Sequence, residues 1–355
     1  MYTAYTRVSE IYEAQLKDIA NAKRSIFLEQ YILESLEEGE IGRQYVDLLI
    51  QKAKEGVHVE CILDAQGAFS LYMSSKLFKE LTAAGCNIFF YKTLGTTHLI
   101  NPVRLILRDH RKFLIIDDEI TWIGGAVIGE RFMNWKDFMM RFTDPTIANV
   151  SSKEFRNQVL RLQDKLSLLA PLETISSEHH LSGNAPGIGN RFCYEEITHA
   201  IMRAQKSVVM VTPYFAPPFK LERVLRRRLK TGLSITLITP AVSDKWIANI
   251  VRERFFDTFL RRGLKVQYVP GMLHAKIVLV DDEWVTFGST NLDPLSLIFN
   301  HELNMVSTNA EVLSEVRKAI SFYLKGARLH TAKDCTYRSY GFFTRCLASV
   351  IRYLV

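Results

Sequence analysis

Two stretches of the chain repeat one pattern. Residues 110–125 read HRKFLIIDDEITWIGG and residues 274–289 read HAKIVLVDDEWVTFGS. In each, H-x-K-x4-D is followed, after six further residues, by a small pair, Gly124-Gly125 or Gly288-Ser289. The acidic run recurs too, Asp117-Asp118-Glu119 against Asp281-Asp282-Glu283. A pattern this long does not arise twice by chance, so one folding unit must be built twice. In the second copy Val278, Leu279 and Val280 read as a short buried strand, Asp282-Glu283 as a turn, and Trp284 to Phe287 as the returning strand. Residues two apart on an extended chain share a face, which points His274 and Lys276 the same way. An imidazole beside an ammonium at a strand edge suits an anionic, phosphate-like group.

The duplication reaches well beyond the motif. Tyr12 to Ile26 aligns without a gap on Tyr194 to Val208, each an amphipathic helix with a basic turn leading into a strand. Gln30-Tyr31-Ile32 and Thr212-Pro213-Tyr214-Phe215 then place a tyrosine just past each strand end. Tyr45 to Lys54 reads as a helix closed by Gly56 before the strand Val57 to Leu63; Leu221 to Lys230, Gly232 and Leu233 to Ile238 repeat it. A third unit ends in Ala84-Gly85-Cys86-Asn87-Ile88 and in Arg262-Gly263-Leu264-Lys265-Val266. Helix, glycine stop and strand recurring in step describe an α/β domain used twice, a mixed sheet sandwiched by helices. The 355 residues suffice for two such cores. We place the first domain at 1–169, a Pro/Gly/Ser/Asn-rich linker at 170–190, the second domain at 191–335 and an amphipathic tail at 336–355. His179-His180 falls in the linker and reads as solvated.

Formal charge is +7 with a pI near 9.0, which favours anionic partners, a lipid headgroup surface or a nucleic acid. The five cysteines, Cys61, Cys86, Cys193, Cys335 and Cys346, are scattered without a C-x-x-C, so no metal or disulfide framework is expected. The opening MYTAYTRVSEIYEAQLKDIANAKR lacks the basic-then-apolar order of a signal peptide, and no run approaches the roughly 20 apolar residues of a membrane span. The expectation is a protein that works from the cytoplasmic side of a membrane as a peripheral visitor.

The paired motif resembles the phospholipase D superfamily, whose signature is a duplicated H-x-K-x4-D-x6-G-[GS], and the resemblance covers nearly the whole chain. Within it the run GSTNLDPLSLIFNHELN, with Asn291, Asp293, Ser296, Asn300, Glu302 and Asn304, is most similar to bacterial cardiolipin synthases. That resemblance implies two tandem phospholipase D-like α/β/α sandwich domains with mixed sheets, related by a pseudo-twofold axis. It implies transphosphatidylation without metal or cofactor: phosphatidylglycerol gives its phosphatidyl group to a histidine, and a second phospholipid's alcohol takes it, releasing glycerol and forming cardiolipin. Anionic phospholipids and a membrane surface would be the partners, and no nucleic acid is expected.

The candidate catalytic set is His110, Lys112, Asp117, His274, Lys276 and Asp281. Lysines beside a phosphodiester would bind its non-bridging oxygens, one histidine would attack phosphorus, and the other would protonate the departing alcohol. The resemblance implies that the nucleophile is His110 and that Asp117 and Asp281, at strand ends, are structural. Each histidine needs a carboxylate to fix its tautomer. Asp137 lies 27 residues after His110 and Glu302 lies 28 after His274, near-equal offsets that single these two out. Asn291, Ser289 and Gly125 complete the supporting set. Val127 and Leu295 depart from the family pattern, where asparagine and arginine are frequent, and this bears on donor and acceptor.

Three segments suggest membrane contact. Residues 93–109, TLGTTHLINPVRLILRD, are inserted only in the first half, and residues 341–355, GFFTRCLASVIRYLV, carry an apolar stripe. Each could equally pack on the protein. Arg226-Arg227-Arg228 lies on an expected helix and could attract anionic lipid. A phospholipase D hydrolase and a phosphodiesterase-type nuclease share the same catalytic set and remain alternatives; a membrane-binding scaffold does not need two complete motifs.

Overall fold

A computed structural model of the chain describes residues 1–91, 107–165, 172–185, 190–337 and 341. Residues 93–106 of the insertion at 93–109, and nearly all of the tail, on which two of the membrane-contact expectations fall, lie outside the described residues.

The first half builds one seven-stranded mixed sheet. Its strands in chain order are β1 (Tyr2–Arg7), β2 (Ser25–Gln30), β3 (His58–Asp64), β4 (Asn87–Tyr91), β5 (Lys112–Ile116), β6 (Ile120–Gly124) and β7 (Lys136–Thr143). Across the sheet the order is β1-β7-β6-β5-β2-β3-β4. Strands β2, β3 and β4 run parallel, as the helices between them require, while β5, β6 and β7 fold back as antiparallel neighbours, β5 and β6 joined by a tight turn. The helices are α1 (Val8–Asn21), α2 (Ile41–Lys54), α3 (Phe69–Met73), α4 (Ser75–Ala83) and α5 (Pro145–Leu162).

The second half repeats this order with two strands added. Its strands are β8 (Leu172–Thr174), β9 (His179–Asn184), β10 (Ser207–Val211), β11 (Ser234–Pro240), β12 (Lys265–Val269), β13 (Ile277–Val280), β14 (Trp284–Gly288), β15 (Glu302–Ser307) and β16 (Arg328–His330). They lie in the order β16-β12-β11-β10-β13-β14-β15-β9-β8. Helices α6 (Phe192–Arg203), α7 (Phe219–Lys230), α8 (Trp246–Leu260) and α9 (Ala310–Leu324) complete the half. Gly56 and Gly232 stand just past the ends of α2 and α7 with φ of +89° and +84°, the left-handed stop that a residue with a Cβ adopts only at a cost.

The linker expectation is corrected. Residues 172–184 are not a free connection: β9 pairs antiparallel with β15, Glu302 opposite Asn184 and Ser307 opposite His179, as β1 pairs with β7 in the first half. His179 is buried, packing edge-on against Tyr2 at 5.7 Å between ring centres, not solvated. The segment's polar composition conceals an inner strand because the ladder is made by backbone groups, and of the β9 side chains only Leu181 adds an apolar group to the shared core.

Three apolar clusters organise the packing. One joins α1 and α2 to the outer face of the first sheet, and another joins α6, α7 and α8 to the outer face of the second. The third is shared: Phe113, Ile115, Phe138 and Phe142 of the first sheet meet Ile277, Phe287, Leu303 and Met305 of the second, with α5 and α9 in the same layer. The two halves thus close on one another through a common core. Among the described residues no helix is long and apolar enough to cross a membrane.

Candidate active site

The site forms where the two halves exchange backbone hydrogen bonds. His110 donates its backbone N–H to the carbonyl of His301 (2.9 Å), and His301 donates back to Arg108. Across the pseudo-axis His274 donates to the carbonyl of Lys136 (2.7 Å), and Lys136 donates to Met272. The residue before each motif histidine therefore bridges the residue before the opposite half's carboxylate, Asp109 with His301 and Leu273 with Lys136.

These bridges determine the pairing of the side chains. His110 Nδ1 lies 3.0 and 3.2 Å from the two carboxylate oxygens of Glu302, and His274 Nδ1 lies 2.8 Å from Asp137 Oδ2. Each carboxylate picked out by its offset serves the histidine of the other repeat. With Nδ1–H donated to a carboxylate, Nε2 of each ring carries the free lone pair. Asp137 is held in turn by the backbone N–H of Phe138 (2.8 Å), and Tyr323 donates its hydroxyl to the Asp137 carbonyl.

The supporting residues make the half-sites unequal. Ser289 donates its hydroxyl to Glu302 and accepts the backbone N–H of Leu303 (3.0 Å). Its counterpart Gly125 has no such group, and a Cβ there would sit 2.4 Å from Asp137 Oδ1 and 3.2 Å from Lys276 Cδ. Asn291 is buried, with a side-chain oxygen that meets no partner among the described residues. Tyr31 and Tyr214 flank the two histidines, Tyr31 at 4.9 Å from the His110 ring and Tyr214 at 6.4 Å from that of His274. Trp135 packs at 5.4 Å on the His274 ring.

Burial dominates the electrostatics. Lys112 and Lys276 are only 1% and 2% exposed, and each amine bonds back to the carbonyl of its own histidine. Burial holds Lys112 well below the ordinary amine range and brings Lys276 down to about 8. Burial, followed by Lys112 and Lys276, keeps His110 well below the usual imidazole range; burial and Lys276 bring His274 to about 4. The carboxylates diverge. Burial pushes Glu302 well above the carboxyl range, whereas at Asp137 the upward push of burial is overcome by Lys276 and His274, leaving it below that range. Two lysines gathered with two imidazoles held below their ordinary range suit an anion.

Asp117 and Asp281, expected within the catalytic set, do not join the site. Each follows the far end of its strand, with φ of +57° and +54°. Asp117 accepts the backbone N–H groups of Lys23, Arg24 and Ser25 at 2.6–2.9 Å, and Asp281 those of Gln205, Lys206 and Ser207 at 2.6–2.9 Å. They pin each hairpin turn to the start of the neighbouring parallel strand. The basic run on α7 also has other employment: Arg226 pairs with Glu222 at 2.6 Å and Arg228 donates to the Ala204 carbonyl.

One buried network went unread in the sequence. Arg111, between His110 and Lys112 but facing α5, pairs with Glu29 (3.1 Å) and Glu154 (3.0 Å), and Arg161 also holds Glu154 (2.7 Å). Beside it Asp64 clamps the Arg108 guanidinium and accepts the backbone N–H of Asp109 (3.1 Å), fixing the chain that leads into His110. The second half has Ala275, Val211 and Ala319 where the first has Arg111, Glu29 and Glu154, all three in the shared core. The charged run 108–112 was the available signal, but only packing shows which charges are buried.

A family model described as cardiolipin synthase, PLD-like domain, matches residues 16–159 and again 197–322. The chain belongs to this phospholipase D-like family. The two matched segments fall one in each half, the first spanning β2 to β7 and the second β10 to β15. This family member is 31% identical over 316 residues to a cardiolipin synthase of Geobacillus sp. (strain WCH70), covering 84% of this chain and 61% of that protein. It is 29% identical over 318 residues to cardiolipin synthase B of Salmonella typhimurium (strain LT2), covering 84% and 74%. The chain spans less than two thirds of the length of several of these relatives, including 64% of cardiolipin synthase 1 of Bacillus cereus. Among solved structures, the phosphatidylserine synthase of Haemophilus influenzae Rd KW20 superposes with a TM-score of 0.76 at 16% identity, covering 99% of this chain and 93% of that one. At that identity the likeness concerns the fold: a phospholipase D-like pair of domains.

Proposed function

We infer that this phospholipase D-like protein is a cardiolipin synthase-type phosphatidyltransferase, taking a phosphatidyl group from phosphatidylglycerol and delivering it to the alcohol of a second phospholipid. The observation that carries this reading is the crossed pair of imidazole–carboxylate contacts, His110 with Glu302 and His274 with Asp137, around two buried lysines. It is joined by similarity to cardiolipin synthases over most of the chain.

In the reaction proposed, the phosphodiester monoanion lies between Lys112 and Lys276, which take its non-bridging oxygens, with the side-chain N–H₂ of buried Asn291 as a further donor. Its negative charge offsets the two lysines that act with burial to hold both imidazoles below their ordinary range, so one of them can take up a proton once the lipid is bound. His110 Nε2 attacks phosphorus while His274 gives its proton to the departing glycerol oxygen; the P–N bond forms as the P–O bond breaks. Asp137, the carboxylate held below its ordinary range, faces the histidine that must carry the positive charge. Neutral His274 then takes the proton from the acceptor lipid's hydroxyl, whose oxygen displaces His110. The chain's own lysines supply the charge stabilisation throughout.

Lipid mass spectrometry after incubation of the protein with phosphatidylglycerol in mixed micelles tests this, with His274→Ala as control. Cardiolipin and free glycerol, absent in the control, are expected. Phosphatidic acid in place of cardiolipin would make water the acceptor and the protein a hydrolase; no turnover would refute the lipid reading.

A further inference from the structure

Among the described residues twelve large apolar side chains are strongly exposed, and six of them, Phe69, Met73, Phe78, Phe219, Val242 and Trp246, share one address. All but Phe78, which sits on α4 with its ring 6.1 Å from that of Phe90, lie on a segment that directly follows a strand end at the candidate site. Phe69 and Met73 occupy α3, which begins five residues after Asp64, the carboxylate that clamps the approach to His110. Phe219 opens α7, five residues after Tyr214, whose ring flanks His274. Val242 and Trp246 follow the end of β11, and between them Lys245 sets its amine 4.7 Å over the Tyr214 ring while Asp244 accepts the Tyr214 hydroxyl. The exposures of Phe219, Val242 and Trp246 are 67%, 72% and 68%, too open for core packing.

Exposed lysines alternate with these groups: Lys76 and Lys79 beside Phe78, Lys220 beside Phe219, Lys245 beside Trp246. An apolar rim with interspersed cations is the chemistry of a headgroup–acyl boundary, where aromatic side chains reach about 5–10 Å inward and lysines meet lipid phosphates. The helical arginine run lies at the other end of α7, about 12 Å along the axis from Phe219 at 1.5 Å per residue. The rim, by contrast, is tied to the site through Tyr214, which Lys245 and Asp244 both contact.

We propose that Phe69, Met73, Phe219, Val242 and Trp246, contributed by both halves, form the surface by which the protein docks on an anionic phospholipid bilayer, presenting the two histidines to headgroup phosphates. The inference rests on the phosphatidyltransferase reading for its choice of occupant, because a diacyl substrate is drawn from a bilayer whose phosphates lie at its surface.

The test is co-sedimentation of the full chain with phosphatidylglycerol–phosphatidylcholine vesicles, comparing wild type with the double variant Phe219→Glu/Trp246→Glu. Both side chains are exposed, so the variant should keep its melting temperature. Vesicle affinity should fall about tenfold or more, since withdrawing even one large apolar group from its buried position costs on the order of a tenfold in binding. Turnover of a monomeric short-chain phosphatidylglycerol should be unchanged. Quenching of wild-type fluorescence by acyl-brominated lipid should diminish in Trp246→Phe. Equal sedimentation of wild type and double variant would overturn the proposal, as would a wild type that ignores vesicles and points instead to a protein partner. If wild type binds vesicles, the variant does not, and neither turns over lipid, the surface stands and the catalytic reading falls.

Discussion

Exchange of carboxylates between the halves makes a directional prediction for Glu302→Gln. The side chain is fully buried, so the substitution changes hydrogen bonding and charge at nearly constant volume. It replaces a carboxylate facing His110 Nδ1 at 3.0 Å by an amide that either accepts weakly or, if turned, presents its N–H₂ to the ring. A hydrogen bond to a charged group contributes about 1.5–3 kcal/mol, and at about 1.4 kcal/mol per tenfold its loss in the transition state lowers kcat by roughly 10- to 150-fold. The lower end applies if the amide oxygen keeps the contact, with the Ser289 hydroxyl still in place. Rate alone does not say which histidine was disturbed. Imidazole ¹H–¹⁵N correlation spectra do: Glu302→Gln should move the Nδ1 resonance of His110 and leave that of His274, and Asp137→Asn should do the reverse. A shift at His274 in Glu302→Gln, with His110 unmoved, would refute the crossed pairing and the inter-half bridges from which it follows.

Other consequences are as specific. Asp117→Ala should lower stability by about 1–2 kcal/mol in denaturant titrations, as loss of a capping carboxylate does, while kcat per folded molecule is unchanged; a selective loss of kcat would return Asp117 to the chemistry. Arg111→Ala strands Glu29 in the core while Glu154 keeps Arg161, and should cost about 3–5 kcal/mol, whereas Arg111→Ala/Glu29→Val, which copies the second half at those two positions, should cost less than the single change; a double variant less stable than the single would show the charges to be needed as charges. Lys276 binds an anion only when protonated, and burial sets it at about 8, so phosphodiester affinity measured by calorimetry should hold steady between pH 6 and 7 and weaken as pH rises through about 8. Affinity constant to pH 9.5 would remove Lys276 from the anion site.

Much of this was legible in the chain. The two motifs, the helix–glycine–strand units and the tyrosines past the first strands all report local backbone, and they recur at the same places in both sheets. Asp137 and Glu302 were legible as well, because duplication places equivalent groups at equivalent offsets. Composition misled at residues 170–190, where polar, glycine-rich sequence forms β9 through backbone bonds to β15. The motif aspartates were legible as strand-end residues, and the left-handed turn, with three N–H groups converging on each carboxylate, shows what they fasten.

The sequence by itself determined that one α/β unit is built twice and that each copy carries an imidazole, an ammonium and a carboxylate. Tertiary structure decided who serves whom. His110 and Glu302 stand 192 residues apart, and no periodicity or spacing encodes a bridge between Asp109 and His301. That bridge exists because the shared apolar core brings the two sheets together at one registration. The same closure buries both lysines, and burial, a property of the assembled pair of halves, sets the charges with which the site meets an anion.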